Sequence, residues 1–249
     1  MEKAPKGKCD SCPLSGAIFV PSELHDKSKV LFLAEAPGYH EAQDGKPLVG
    51  VAGQDFNQIV KDCGASRDDG NYMNAVTCRP TKVIDGKTYN RTPTDVEIRC
   101  CNDRLYYEVE ALSPVIIVCM GKIPYVALGG NAKAAMKDIV GTRFTWKQKY
   151  SVLVTYHPAA IAHSGGAGTE RGKMIRDKIA EAVKDALSVK HIDKQLRLID
   201  APIVFNKSLQ PIIIEMEKMK RNCNQWWHDQ NKCDKCKQKF YCFGGGEHG

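Results

Sequence analysis

Cysteines are the residues of this chain whose type and spacing point most directly to a chemistry. The chain has eleven of them, and five stand in short motifs in the first half of the sequence: "CDSC" supplies Cys9 and Cys12, "TCRP" supplies Cys78, and Cys100 and Cys101 are adjacent. Disulfides rarely persist in a reducing compartment, where clustered thiols more often bind a metal. The cysteines therefore predict ligands to an ion or a cluster.

A second group of cysteines lies near the end of the sequence, among lysines and two tryptophans. Its members are Cys223, Cys233, Cys236 and Cys242. This pattern favours a metal-stapled contact for nucleic acid or protein, in which zinc and iron-sulfur fit equally well. A disordered tail with incidental cysteines is the competing interpretation.

Composition narrows the class of protein that carries these thiols. The 249 residues are 43% hydrophobic, which suffices for a core without disulfides. Charges run through the first thirty residues, and we see neither a signal peptide nor a membrane span, so we expect a cytoplasmic, nucleoid-associated or phage-encoded protein. The net charge of +7 favours an anionic partner, of which nucleic acid is the commonest.

The elements that would position these residues alternate between strands and helices. Four buried strands are predicted, within residues 29–38, 71–78, 113–121 and 150–158. Apolar residues at helical spacing predict helices after the first and second strands, and a long amphipathic helix at residues 170–189. This pattern predicts a three-layer α/β/α sandwich with a mostly parallel four-stranded central sheet.

The sandwich is predicted to occupy residues 1–190 and to precede a smaller module. Residues 191–249 continue no strand-helix alternation, are rich in lysine and contain the second group of cysteines. We therefore expect a small, basic, metal-stapled C-terminal appendage. In an open parallel sheet the active residues lie beyond the carboxyl ends of the strands, where the turns at Pro37, Cys78 and His157 fall.

Read in order, four loops resemble one known family. They are "CDSC", "AEAPGYHEAQDGKPLVGVAG", "NAVTCRP" with "NRTPTDVEIRCC", and "TYHPAAIA". Together they are similar to the motifs of the family 4, or iron-sulfur, uracil-DNA glycosylases. The resemblance covers about residues 8–188 and implies a hydrolase of base excision repair, which flips uracil out of DNA and leaves an abasic site.

The resemblance also implies a [4Fe-4S] cluster beside the active site. Its four ligands carry over to Cys9, Cys12, Cys78 and Cys101. Of the adjacent pair, Cys101 is preferred to Cys100, because it stands three residues after Ile98 as in the family motif. The alternative is that these thiols are core residues, as we expect of Cys63 and Cys119.

Roles in uracil excision follow from the same resemblance. Asn74 is expected to read the edge of the base, since an amide offers both a donor and an acceptor. His157 is expected to hold the developing charge on the O2 oxygen, with backbone N–H groups from Ala36 to Gly38 in support. Glu35 is expected to orient or activate water.

The chain departs from the family pattern at several positions. Leu48 replaces the phenylalanine that stacks on the uracil, and His163 replaces an arginine that grips phosphate. Ile161 is kept as an apolar wedge for the duplex. Arg79 and Arg91 of the second motif are expected to contact DNA, and between them the insertion "TKVIDGKTY" is expected to extend or block the DNA groove.

Three functions are compatible with these observations. The first is hydrolysis of uracil from single- or double-stranded DNA. The second is a weak or inactive relative that binds DNA in a replication or repair assembly, phage assemblies included, as Leu48, His163 and the appendage suggest. The third is an interaction scaffold that docks a replication or repair protein through its C-terminal module.

Overall fold

The structure is a computed structural model of the chain. It describes residues 4–198, with side chains up to residue 188. Seven strands and seven helices lie in this part of the chain. The strands are β1 Val30–Ala34, β2 Asn71–Asn74, β3 Thr81–Ile84, β4 Lys87–Asn90, β5 Ile116–Met120, β6 Arg143–Trp146 and β7 Tyr150–Thr155. The helices are α1 Tyr39–Asp44, α2 Val51–Asp62, α3 Asp95–Leu112, α4 Lys122–Ala127, α5 Met136–Ile139, α6 Ala159–His163 and α7 Glu170–Leu198.

The central sheet has five strands in the order β2-β1-β5-β7-β6. The first four are parallel, with register pairs such as Ala34 with Asn74 and Met120 with Thr155. The expected four-stranded parallel sheet is therefore present, and the short edge strand β6, antiparallel to β7, adds a fifth strand. A strand of only four residues gives little periodic signal in a sequence, which explains why β6 was missed.

Alternating strand residues pack into two cores on opposite faces of the sheet. On one face, Leu33, Ile117 and Val152 lie with α3 residues such as Leu105. On the other, Phe32, Val118 and Leu153 contact residues of α2 and α7; these helix residues include Phe56, Ile59, Ile175, Ile179 and Val183. Helices cover both faces, so the three-layer prediction is confirmed. Met174 of the predicted α7 face is instead 43% exposed.

Helix α3, the helix predicted after the second strand, begins at Asp95 behind a capping box. The Thr94 hydroxyl accepts a hydrogen bond from the Glu97 N–H at 3.3 Å, and the Thr94 N–H donates to the Glu97 carboxylate at 2.8 Å, which forms a capping box. Helix α7 continues through position 190, and the domain boundary expected there stays a prediction. No helix within residues 4–198 is long and apolar enough to cross a bilayer.

Candidate active site and cysteine cavity

Three predicted active-site residues lie at one edge of the sheet. Asn74 ends β2, Glu35 follows the last residue of the adjacent strand β1, and His157 lies two residues beyond β7. Strands β1 and β7 flank β5, so their ends lie about 10 Å apart at the usual spacing of strands. The parallel sheet thus places a carboxylate, an amide and an imidazole at the same end of the sheet, and the space between these three residues is called the cleft below.

Glu35 is part-buried at the end of the central strand β1. Its backbone oxygen accepts from the Val76 N–H at 3.1 Å, which fixes it against the chain beyond β2. Burial raises the pKa of the carboxyl above its usual range, and a hydrogen bond from the Thr92 hydroxyl partly offsets that rise. A desolvated carboxylate is a stronger base than an exposed one, as activation of water requires.

Asn74 is 3% exposed, and its backbone is held by a buried arginine. One Arg104 nitrogen donates to the carbonyl oxygens of Asn74 at 2.7 Å and Ala75 at 3.0 Å. The other terminal nitrogen donates to Glu108 at 2.9 Å, and the Ser22 hydroxyl donates to the same carboxylate at 2.6 Å. Sequence analysis missed Arg104, because its partners are separated from it by up to 30 residues.

The ring of His157 is neutral and its protonated nitrogen can be assigned. The Ala159 N–H donates to Nδ1 at 3.2 Å, so Nδ1 is an acceptor and the proton lies on Nε2. Burial lowers the pKa of His157 from 6.5 to about 4; Glu41 opposes this shift and His163 adds to it. A neutral Nε2–H can donate to an oxygen that becomes negative during a reaction.

Gly121, which follows β5, fixes the backbone close to His157. Its φ of +94° lies in the left-handed region that favours glycine. A Cβ atom at this position would lie 3.1 Å from the Cβ of His157. A side chain at residue 121 would therefore require both an unfavourable φ and a displacement of His157.

Glu41 of α1 holds the two arms of the loop that follows β1. One carboxylate oxygen accepts from the Gly38 N–H at 3.1 Å. The other accepts from the N–H groups of Val49 at 3.1 Å and Gly50 at 2.8 Å. The Gly38 N–H is therefore occupied, which corrects the expectation that it supports a substrate oxygen; the role of Ala36 stays a prediction.

Leu48 lies on the second arm of this loop. Its side chain is 5% exposed and contacts the core on the α2 and α7 face. Its φ of +54° is left-handed, and Gly53 permits this conformation, since a Cβ there would lie 2.1 Å from the Leu48 carbonyl oxygen. Whether this side chain contacts a flipped base stays a prediction.

The two arginines expected to bind DNA have different surroundings. Arg79 donates through Nε to Asn90 at 2.8 Å, and its guanidinium lies 5.2 Å from the centre of the Tyr39 ring. Arg91 instead forms a bidentate pair with the buried Glu97, at 2.8 and 2.6 Å. A phosphate at Arg91 would compete with that buried carboxylate, so the structure favours an anchoring role for Arg91.

The loop after β7 differs from what its motif suggested. Ile161 is 3% exposed and packs in the core with residues of α2 and α7. A wedge must leave this buried position to enter the duplex, so the structure gives the wedge role no support and that role stays a prediction. His163, by contrast, is exposed at the end of α6, where a phosphate contact stays a prediction.

A small cavity gathers the four cysteines predicted to bind a cluster, together with Cys100. The segment that carries Cys9 and Cys12 is attached to α3, because the Lys8 N–H donates to the Cys100 carbonyl at 3.0 Å. Cys12 lies in hydrogen-bonding contact with Cys100, and Cys101 lies 3.9 Å from the Thr77 hydroxyl. Both cysteines of the pair thus line the cavity.

The donor set of this cavity consists of thiols, which are the ligands that a [4Fe-4S] cluster takes. Within residues 4–198 no three His, Cys, Asp or Glu side chains converge on one point as the ligands of one metal ion do. A [4Fe-4S] cluster is held by four thiolates bound to different irons, so its ligands surround a volume instead. Burial, with the neighbouring Cys100 and Cys101, raises the pKa of the Cys12 thiol to about 11.

The remaining cysteines divide into two groups. Cys119 is fully buried in β5, and Cys63 is part-buried and donates to the Ala180 carbonyl at 3.7 Å, as expected of core residues. The cysteines of the predicted second metal site lie outside the described residues; they are Cys223, Cys233, Cys236 and Cys242.

Comparison with known proteins identifies the class to which this fold and cleft belong. Residues 21–185 match the uracil DNA glycosylase superfamily. The type-4 uracil-DNA glycosylase of Saccharolobus solfataricus is 34% identical over 194 residues, which cover 74% of this chain and 84% of the relative. Those of Archaeoglobus fulgidus and Thermotoga maritima are 31% and 28% identical, over 62% and 73% of this chain and 78% and 88% of the relatives. The chain belongs to the type-4 uracil-DNA glycosylase family of that superfamily.

Proposed function

We propose that the protein hydrolyses the N-glycosidic bond of uracil in DNA and leaves an abasic site. The observation that carries this proposal is the neutral, Nε2-protonated His157 at the same sheet edge as the desolvated Glu35 and Asn74. The superfamily match and the names of the relatives support it.

Each group has a distinct task in the reaction. As the bond between C1′ and N1 breaks, its electron pair passes to uracil, and the Nε2–H of His157 donates to the O2 oxygen that becomes negative. Glu35 accepts a proton from the water that attacks C1′ and offsets positive charge on the sugar. Asn74 pairs with the edge of the extruded base and selects it against cytosine.

A [4Fe-4S] cluster held by Cys9, Cys12, Cys78 and Cys101 is part of the proposal. When bound, it would hold these loops together and would take no part in the hydrolysis. Its thiolates would join the N-terminal segment, the end of the β2 loop and α3, which already share backbone contacts such as the hydrogen bond from the Val20 N–H to the Thr77 carbonyl at 2.9 Å.

The module at residues 191–249 is proposed to bind a second metal and to contact DNA or a repair partner. Metal analysis of the anaerobically purified chain tests the first half of this statement. Retention of about four irons together with zinc would assign zinc to the module, and about eight irons would assign a second cluster.

The test of activity uses labelled oligonucleotides with one uracil, single- and double-stranded, followed by alkali. Wild type is expected to cleave both at the uracil. Glu35→Gln and His157→Gln are each expected to lower the single-turnover rate by at least about a hundredfold, with DNA affinity nearly unchanged. Glu181→Gln, the same chemical change at an exposed site on α7, is the matched control and should excise normally.

Two results would overturn the proposal. Salt-dependent DNA binding without excision would select the binding-module interpretation. If excision survives both Glu35→Gln and His157→Gln, membership of the family still stands, but the roles assigned to Glu35 and His157 are contradicted. Release of cytosine by Asn74→Asp, absent from wild type, would support the reading role of Asn74.

A further inference from the structure

The insertion in the second motif folds as a hairpin beside the active site. Strands β3 and β4 pair antiparallel through a two-residue turn, in which Asp85 and Gly86 have φ values of +49° and +74°. Two positive φ values are typical of the type I′ turn, which Asp-Gly favours. All side chains of residues 82–90 are exposed, so the hairpin contributes nothing to either core.

The base of the hairpin is fixed against the loop that follows β1 (residues 35–50), which we call the catalytic loop. Asn90 lies so close to Gly38 that a Cβ on that glycine would be 3.1 Å from the Asn90 Nδ2. The Arg91 Nε donates to the Thr81 carbonyl at 3.0 Å, while the Arg91 guanidinium is held by Glu97. Two residues beyond β4, the Thr92 hydroxyl bonds to the Glu35 carboxylate. The end of the hairpin is therefore linked by a single hydrogen bond to Glu35, the proposed catalytic base.

One face of the hairpin carries the chemistry of a nucleic-acid contact. Lys82 pairs with Tyr89, and Ile84 pairs with Lys87, so these four side chains share a face. Tyr89 is 45% exposed and Ile84 46% exposed. Two ammonium groups around an exposed aromatic ring complement phosphates and the flat surface of a base. The acidic residue within the hairpin, Asp85, belongs to the turn.

The same chemistry continues from the hairpin towards the cleft. Tyr39, at the start of α1, is 54% exposed, and the Arg79 guanidinium lies over its ring. Arg79 also donates to Asn90, so it joins the hairpin to the catalytic loop. A strand whose uracil occupies the cleft would meet this basic and aromatic surface immediately beside it.

We propose that the hairpin is a DNA clamp, in which Lys82 and Lys87 each contact a phosphate and Tyr89 stacks on a nucleotide that flanks the extruded base. The inference deepens the proposed function, since it names the contact that holds the substrate strand. Its binding test uses undamaged DNA and does not depend on uracil excision.

The lysines are tested by the salt dependence of binding to an undamaged oligonucleotide, single- and double-stranded. For Lys82→Gln with Lys87→Gln, loss of two phosphate contacts should reduce the slope of log affinity against log salt by about 1.8 for duplex and about 1.4 for single-stranded DNA. Affinity at 0.1 M salt should fall at least about tenfold.

The matched control makes the same change of charge at the opposite end of the sheet. Lys27 precedes β1, and Lys61 lies in the last turn of α2, about 15 Å along the helix from the catalytic loop; both are exposed. Lys27→Gln with Lys61→Gln should leave the slope within about 0.3 of wild type. If both double variants lose the same amount of salt slope and DNA affinity, the effect comes from net charge alone and the clamp is wrong.

Tyr89 is tested separately from the charges. Tyr89→Leu should weaken DNA binding at least about fivefold and leave the salt slope unchanged, because stacking is not ionic. Val83→Ala, on the other face of the hairpin and 69% exposed, should change nothing. If wild type excises uracil and none of the hairpin variants changes binding or KM, the clamp is wrong while the proposed function stands, and the hairpin becomes a candidate protein contact.

Discussion

The assignment of His157 as a neutral, part-buried imidazole predicts a specific cost to stability in acid. The pKa of this residue is lowered from 6.5 to about 4 in the folded protein, chiefly because burial disfavours the charged ring. Between these two values the unfolded chain binds a proton that the folded protein does not. Stability must therefore fall as the pH falls through this interval, and the effect is absent at pH 7 and above.

The size of the effect follows from the two pKa values. Linkage with 6.5 in the unfolded chain and about 4 in the folded protein gives a loss of at most about 2 kcal/mol between pH 7 and pH 5. The figure is an upper value because His157 is only part-buried and retains some contact with solvent. Removing the imidazole should remove this part of the acid sensitivity.

Urea unfolding of the cluster-loaded protein at pH 7, 6 and 5 measures the effect. Glutamine is the replacement of choice, since its side-chain oxygen can still accept from the Ala159 N–H. Between pH 7 and pH 5, we expect the free energy of unfolding of His157→Gln to fall by less than that of wild type, with a difference of up to about 2 kcal/mol. His40→Gln, at an exposed position of α1, is the control and should follow wild type. Parallel pH curves for wild type and His157→Gln would show that the pKa of His157 is not lowered and would refute its neutral state.

Three further predictions concern the surroundings of the site. Gly121→Ala should lower uracil excision at least about tenfold with little change in DNA binding, because the new Cβ would lie 3.1 Å from that of His157 and require a strained φ; normal single-turnover rates would contradict it. Cys101→Ser should lose visible absorbance and iron, whereas Cys100→Ser should keep both, and the reverse result would exchange their roles. Leu48→Phe should raise single-turnover excision severalfold if a ring restores stacking worth about 1–3 kcal/mol, and an unchanged rate would place residue 48 away from the base.

The sequence predicts four buried strands in a mostly parallel sheet and hence that Glu35, Asn74 and His157 lie at the same end of it. This succeeds because parallel strands bring their carboxyl ends together regardless of how far apart they stand in the chain. The cysteines predicted as ligands also line one cavity, although Cys101 lies in α3 and not in a loop. The fold and the approximate position of the site can thus be predicted from strand patterns and motifs.

What could not be predicted depends on burial and on contacts across long separations. A motif places Ile161 near DNA but cannot show that its side chain points into the core, where it is 3% exposed. The Asp85-Gly86 pair is a strong hairpin signal that was interpreted only as an insertion. Glu41 stands in a recognised motif, yet its bonds to Gly38 and Gly50 depend on how the loop closes.

Arg104 illustrates why the geometry of such a site lies outside its motifs. Strand β2 is an edge strand, and its ladder with β1 ends at Asn74, so pairing alone leaves the carbonyls of Asn74 and Ala75 without partners. Arg104 satisfies both, at the cost of burying a guanidinium that is 0% exposed and whose Nε has no partner. Since a buried charge cannot lose its acceptors without a large penalty, any shift at the end of β2 also disturbs Arg104. The position of Asn74, the amide proposed to read the base, is therefore set by a charge on α3, just as the loop before Leu48 is set by the carboxylate of Glu41.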